Sequence, residues 1–146
     1  MRWGVLLCAL LLGGCATGYG KSSIFGGYWS KDGPGELIEI GFNGNGYTQA
    51  DKVQLYLLYR SAEIARSRGK AYFEIYPSIF DAITERPIAE TTASVLGGKP
   101  FGKVYMLTND VQVAGALKPD DILARYADAV KGRTEGAAAG KPGAGR

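Results

Sequence analysis

"ELIEIGFNGNGYTQADKVQLYLLYRSAEIARSRGKAYFEIYP", residues 36–77, carries both of the periodicities from which a fold class is read. Its first part alternates. Ile38, Ile40 and Phe42 face one way and Leu37, Glu39 and Gly41 the other, the pattern of a strand with one buried face. The Asn-Gly pairs of "NGNGY" then mark a tight turn that tolerates positive φ. Thr48 is placed to accept a backbone N–H at a helix start, and Asp51, three residues on, resembles the acidic partner of a capping box. From Gln49 to Arg68 there is no Gly or Pro. Leu55, Leu58, Ala62 and Ala65 recur at helical spacing, with Val53 and Leu57 beside them. Gly69 follows Arg66 and Arg68 and should end the helix. Residues 70–77 alternate again, Ala71, Phe73 and Ile75 against Tyr72, Glu74 and Tyr76. Strand, helix and strand with short connections predict a βαβ unit.

Toward the C-terminus, "SIFDAITERP" reads as a loop with room for one helical turn. Residues 88–98 and 102–109 read as two strands joined around "GGKP", a hairpin. Residues 111–117 would extend the sheet or add an edge strand. "PDDILARYADAVKG" is a helix, with Pro119 at its first position, Asp120 and Asp121 in its first turn, and Gly132 after its end. Its apolar face is Ile122, Leu123, Tyr126 and Val130. The expected fold is a two-layer α+β domain with a βαβ start, then a β-hairpin and a C-terminal helix, the sheet mostly antiparallel.

The expected organisation is a leader over 1–14, a flexible tether over 15–27, one domain over 28–131 and a disordered tail over 132–146. Met1-Arg2 is positive, and Trp3 to Leu12 is an apolar run of signal-peptide length. It falls short of the roughly 20 residues that span a bilayer. Leu12-Gly13-Gly14-Cys15 then resembles the lipobox of bacterial lipoproteins. That resemblance implies a diacylglyceryl thioether on Cys15, cleavage before it and acylation of the new amine, palmitate being the usual label. Ala16 after the cysteine implies sorting to the outer membrane. Cys8 would leave with the leader, so the mature chain would hold no free thiol in an oxidising compartment and no disulfide.

"GFNGNGYT" and "YLLYRSAEIARSRGKAYFEI" resemble a family of small Gram-negative envelope lipoproteins that has no assigned activity. The matching positions are Phe42, Gly44, Asn45, Thr48, Arg60, Ala62, Glu63, Gly69, Tyr72 and Phe73. The resemblance covers about a third of the chain. It implies an envelope location and no catalytic role for these residues.

Charge and composition remove several function classes. The chain carries +3, but Tyr28 to Val130 holds eleven basic and thirteen acidic residues, so the basic character belongs to the tail. A nucleic-acid binder needs a basic face on its domain, and none is expected. There is no histidine, which removes Ser-His-Asp chemistry and the commonest transition-metal ligand. No cofactor or metal is expected. "GYGKSS" lacks the spacing and the preceding strand of a phosphate loop. Asp120-Asp121 suits a helix dipole better than a cation. Arg60 and Glu63, three apart, read as a surface ion pair or a contact to a loop.

Carboxylate chemistry is what remains. Glu39 and Glu74 both lie opposite the apolar triplet of their strand. Were the two strands neighbours, both carboxylates would project from an open sheet face near Tyr72 and Tyr76. Two carboxylates about 5 to 10 Å apart across a sugar is the glycosidase arrangement, but so small a chain offers little room for a deep cleft. Tyr72, Tyr76, Glu39 and Glu74 are therefore the candidate binding surface. The leading expectation is a noncatalytic binding or structural module. It is held to the periplasmic face of the outer membrane through lipid at Cys15 and meets an envelope protein or cell-wall polymer. The alternative is a small carboxylate-dependent cell-wall hydrolase.

Overall fold

The alternation of residues 37–42 becomes strand β2 (Ile38–Asn43), and the helical spacing that follows becomes α1 (Ala50–Ser67). A computed structural model describes residues 18–132. The remaining elements are β1 (Gly27–Asp32), β3 (Tyr72–Tyr76), α2 (Ile79–Ile83), β4 (Ser94–Leu96), β5 (Lys99–Asn109) and α3 (Pro119–Lys131). The leader, Cys15 and residues 133–146 of the expected tail lie outside the described residues. The fold is α+β, with a five-stranded open sheet whose strand pairs are all antiparallel.

β5 sets the strand order. It is 11 residues long and runs through the middle of the sheet. β2 pairs with Phe101–Met106 along one edge. On the other edge β4 pairs with Lys99–Phe101 and β3 with Tyr105–Asn109. β2 and β3 are therefore not neighbours. The βαβ unit is split, with β5 inserted antiparallel between its two strands.

One face of the sheet is the core. Ile38, Ile40, Phe42, Phe73, Ile75, Val104 and Met106 meet Val53, Leu57, Ala62 and Ala65 of α1. α3 packs along α1 and adds Leu123 and Val130, with Ile122 and Tyr126 at the margin, the face read from its spacing. α1 is buried around more of its circumference than one sheet would require. Tyr56, Tyr59, Ser61 and Ile64 are buried too, because α3 and an N-terminal segment pack on its flanks. Among the described residues no helix is long and apolar enough to cross a membrane.

The ends of α1 and α3 follow from the sequence at three of their four termini. Gly69 N–H donates to Arg66 O and Lys70 N–H to Ala65 O, both at 3.0 Å. This Schellman closure needs the left-handed φ of +68° that Gly69 supplies. α3 starts on Pro119 and stops at left-handed Gly132. The N-terminus of α1 is a correction. Gln49 is the N-cap and makes no side-chain cap. Thr48 Oγ1 instead accepts Asn45 N–H (3.1 Å) and donates to Asn45 Oδ1 (3.0 Å). The hydroxyl thus closes the turn before the helix, because the chain folds tightly enough there for Thr48 to be buried beside Gly44.

Three further expectations change. The expected tether is tied to the domain at its two ends and open between them: Tyr19 packs against the core, Ser22 N–H donates to Tyr28 O (2.7 Å) and Tyr28 N–H to Gly20 O (2.8 Å), while Ile24 and Phe25 stay exposed. β1 was not expected. Its alternation is masked because it has an aromatic on each face, Tyr28 toward the core and Trp29 away from it. Residues 111–117 form no strand. Only Leu117 bridges to Phe73, after the chain turns at left-handed Gly115.

Gly102 marks the closest approach of helix to sheet. A Cβ there would stand 2.6 Å from a methyl of Leu57 and 2.9 Å from the backbone oxygen of Thr92. Gly102→Ala is expected to lower unfolding stability by about 1–3 kcal/mol, read as a reduced urea midpoint with unchanged m-value. An unchanged midpoint would mean that α1 does not sit against β5 at this distance.

Candidate functional site

The insertion of β5 decides what becomes of the four candidate residues. Glu39 sits opposite Tyr105, which sits opposite Tyr76. Glu74 sits opposite Leu107. The two carboxylates are thus two strand spacings apart, about 10 Å laterally, and offset along β5. Tyr105 and Leu107 fill the space between. The sheet does not bring them together across a cleft.

Each carboxylate is already engaged. Glu39, with its side chain 13% exposed, takes Lys31 Nζ at 3.4 Å and Lys103 Nζ at 3.3 Å on its two oxygens. Lys103 Nζ also donates to Tyr105 Oη at 3.1 Å and lies 5.0 Å from the ring centre. The Tyr105 hydroxyl first, and Glu39 with it, hold the Lys103 ammonium above the usual lysine range. Trp29 lies flat across Gly41, where a Cβ would fall within its ring, and Lys31 stands 5.6 Å over it. The open face over β1, β2 and β5 is thus a ladder of Trp29, Lys31, Glu39 and Lys103, bounded by buried Tyr105. Exposed ion pairs of this kind contribute little each. Their effect is to fix where the lysines point.

Over β3 the same face is covered. Residues 78–86 fold back so that Ala82 of α2 packs with Leu37, Tyr76 and Tyr105. Ser78 caps α2 by accepting Asp81 N–H at 3.1 Å. Tyr76 is 2% exposed and Glu74 8%. Asn109 Nδ2 donates to Glu74 Oε2 at 2.6 Å. Burial, and then the neighbouring Glu74, push the Tyr76 phenol up to about 12. Neither residue belongs to an accessible surface. The expectation of an open face at Tyr76 and Glu74 fails because no periodicity in "SIFDAITERP" announces that it returns over the sheet. Tyr72 lies apart from the other three, half-buried. Lys118 Nζ stands 6.0 Å from its ring. It lines a cleft of about 520 Å³ between the end of α1 and the start of α3, with Arg66, Lys70 and Pro119.

A second cluster was not foreseen as a unit. Tyr19, with only glycine on either side, lies tilted at 38° to Tyr28 with ring centres 4.9 Å apart, 5.4 Å from Tyr56 and edge-on at 5.3 Å to Tyr59. Its hydroxyl donates to Glu63 Oε2, which also pairs with Arg60 Nη1 at 3.1 Å. The Arg60 guanidinium stacks 4.4 Å over Tyr28. Its Nε is buried and has no acceptor among the described residues. The i, i+3 spacing of Arg60 and Glu63 was legible as an ion pair or loop contact, and it is both. Tyr19 had only its size as a signal. Burial first, then Glu63, raise the Tyr19 phenol well above the ordinary tyrosine range.

Among the described residues no group of three or more His, Cys, Asp or Glu side chains comes close enough to hold a metal ion. A scan against protein-family models, a search of curated proteins and a search of solved structures find no match to the chain.

Raised tyrosine pKa values have a sign. In the unfolded chain these phenols ionise near pH 10. Folded Tyr76 holds its proton to about 12 and Tyr19 holds its proton beyond its ordinary range too. The stability they contribute is therefore complete below pH 10 and is lost as pH rises from 10 toward 12. The slope is at most about 1.4 kcal/mol per pH unit for each tyrosine. Tyr19→Phe is expected to lose about 1 kcal/mol at pH 7 and to show a shallower alkaline loss in urea titrations. An alkaline limb as steep as that of the wild type would contradict the burial of Tyr19 against α1.

Proposed function

We propose that the protein is a lipid-anchored bacterial envelope protein, a noncatalytic binding or structural module. It would be fixed by acyl chains on Cys15 to the periplasmic face of the outer membrane. The family it resembles, the small Gram-negative envelope lipoproteins, fits this reading. The observation that carries the noncatalytic part is the commitment of three carboxylates on the sheet and on α1. Glu39 is held between two lysines, Glu63 between Tyr19 and Arg60, and Glu74 under Asn109. General acid–base work needs a carboxyl within reach of a substrate proton, and none of these three faces an open cleft. The absence of histidine, and of any cysteine after Cys15, supports the same reading. The anchor rests on the leader, whose charge, apolar run, small residues and cysteine agree. The partner on this reading is an envelope protein or a cell-wall polymer, met by the ladder of Trp29, Lys31, Glu39 and Lys103.

Two measurements test the two halves. Cells grown with radiolabelled palmitate should label the wild type, while Cys15→Ala should be unlabelled and leave the membrane fraction. An unlabelled wild type would refute the anchor. Glu39→Gln/Glu74→Gln, compared with wild type at equal protein level, should leave cell-wall turnover unchanged. A turnover loss of tenfold or more with the fold intact by circular dichroism would restore the hydrolase reading.

A further inference from the structure

Across β1, β2, β5 and β4 one row of the sheet reads Gly27, Asn43, Phe101 and Ser94. Three turns lie beyond that row: residues 23–26, residues 44–47 and the β4–β5 hairpin. Gly44 N–H donates to Pro100 O at 2.7 Å and ties the second turn to the third. Ile24, Phe25, Tyr47, Val95, Leu96 and Phe101, all at this end, are exposed, Ile24 to 93%. The segments 21–27, 43–49 and 94–101 contain Lys21 and Lys99 and no acidic residue. Four of the five exposed large apolar groups elsewhere among the described residues have an acid within two residues, Val113 being the exception. Phe80 and Ile83 flank Asp81 and precede Glu85, and Val111 follows Asp110. The opposite end of the sheet is charged in both signs, with Asp32, Glu36, Arg68 and Lys70 around one cleft.

Chain length supplies the second argument. Tyr19 is docked on α1, and it lies four residues after Cys15. Four residues reach at most about 14 Å. That is comparable to the radius of gyration of a domain this size, about 13 Å, and less than its diameter. Gly20 is bonded to Tyr28, one residue from the row above, so the leash leaves from the part of β1 nearest these turns.

We propose that this end of the sheet is a membrane-seating surface. Ile24 and Phe25 enter the headgroup region of the leaflet that holds the Cys15 acyl chains, and Lys21 and Lys99 meet lipid phosphates. This rests on the lipid anchor proposed above. Apolar tips flanked by lysines without acids have the composition that partitions into an anionic interface. The polar end and its clefts then face away from the bilayer.

The mature lipidated protein, reconstituted in phosphatidylethanolamine/phosphatidylglycerol vesicles, tests this. Its lack of free thiols lets Ile24→Cys carry a single nitroxide, with Arg125→Cys on the outer side of α3 as control. The position-24 label should collide with oxygen several-fold more, relative to a water-soluble nickel chelate, than the control does. A position-24 label as accessible to nickel as position 125, on protein shown by mass to be acylated, overturns the seating surface and leaves the anchor standing. Protein that carries no acyl mass overturns the anchor itself. Dipolar broadening between position-24 labels without oxygen preference would assign the surface to a second copy, and would also overturn the proposal.

Discussion

One strand inserted between two others governs most of this structure. β5 lies antiparallel between β2 and β3, so every relation across the sheet is a relation through β5. Its core face supplies Val104 and Met106 to the layer under α1. Its other face supplies Lys103, Tyr105 and Leu107. Those three side chains separate Glu39 from Glu74 and give each its own surroundings, an ion-pair ladder for the first and a buried amide contact for the second. The same strand begins among the exposed apolar turns and ends beside the charged clefts, which gives the domain two unlike ends.

On the proposed lipid anchor, the N-terminal segment would convert that difference between ends into an orientation. Tyr19 closes a cluster with Tyr28, Tyr56 and Tyr59, and its hydroxyl shares Glu63 with Arg60. Aromatic pairs of this geometry add about 0.5–1.5 kcal/mol each beyond the area they bury. This is enough to make a short run of small residues part of the folded unit. With Tyr19 docked, the reach from Cys15 is a few residues instead of a dozen. A long flexible tether would let a domain sample every orientation. With the proposed anchor at Cys15, a leash shorter than the domain would keep one side toward it.

Local periodicity was legible in the sequence and long-range placement was not. β2, α1, β3, β5 and α3 follow from residue spacing, as does the hairpin before β5, although of the strand expected over residues 88–98 only Ser94–Leu96 pairs, and Gly69, Pro119 and Gly132 bound their helices as their chemistry dictates. Strand order was not legible, because nothing in residues 36–77 records that a strand thirty residues later will enter between their two strands. Tyr76 and Glu74 looked exposed because alternation tells which side of a strand a residue takes and not what covers that side. The cover is α2, too short to show a period. Tyr19 was lost among Gly, Ser and Lys, whose composition reads as linker although one aromatic ring suffices to dock it.

The account as a whole, a domain held against a bilayer by acyl chains and a short leash, is tested most directly by neutron reflectometry. The mature lipidated protein would be measured on a supported phosphatidylethanolamine/phosphatidylglycerol bilayer. The account predicts protein density that begins within the headgroup layer and extends one domain diameter, with no water layer between. A resolved aqueous gap between headgroups and protein, on protein confirmed as acylated, would contradict it.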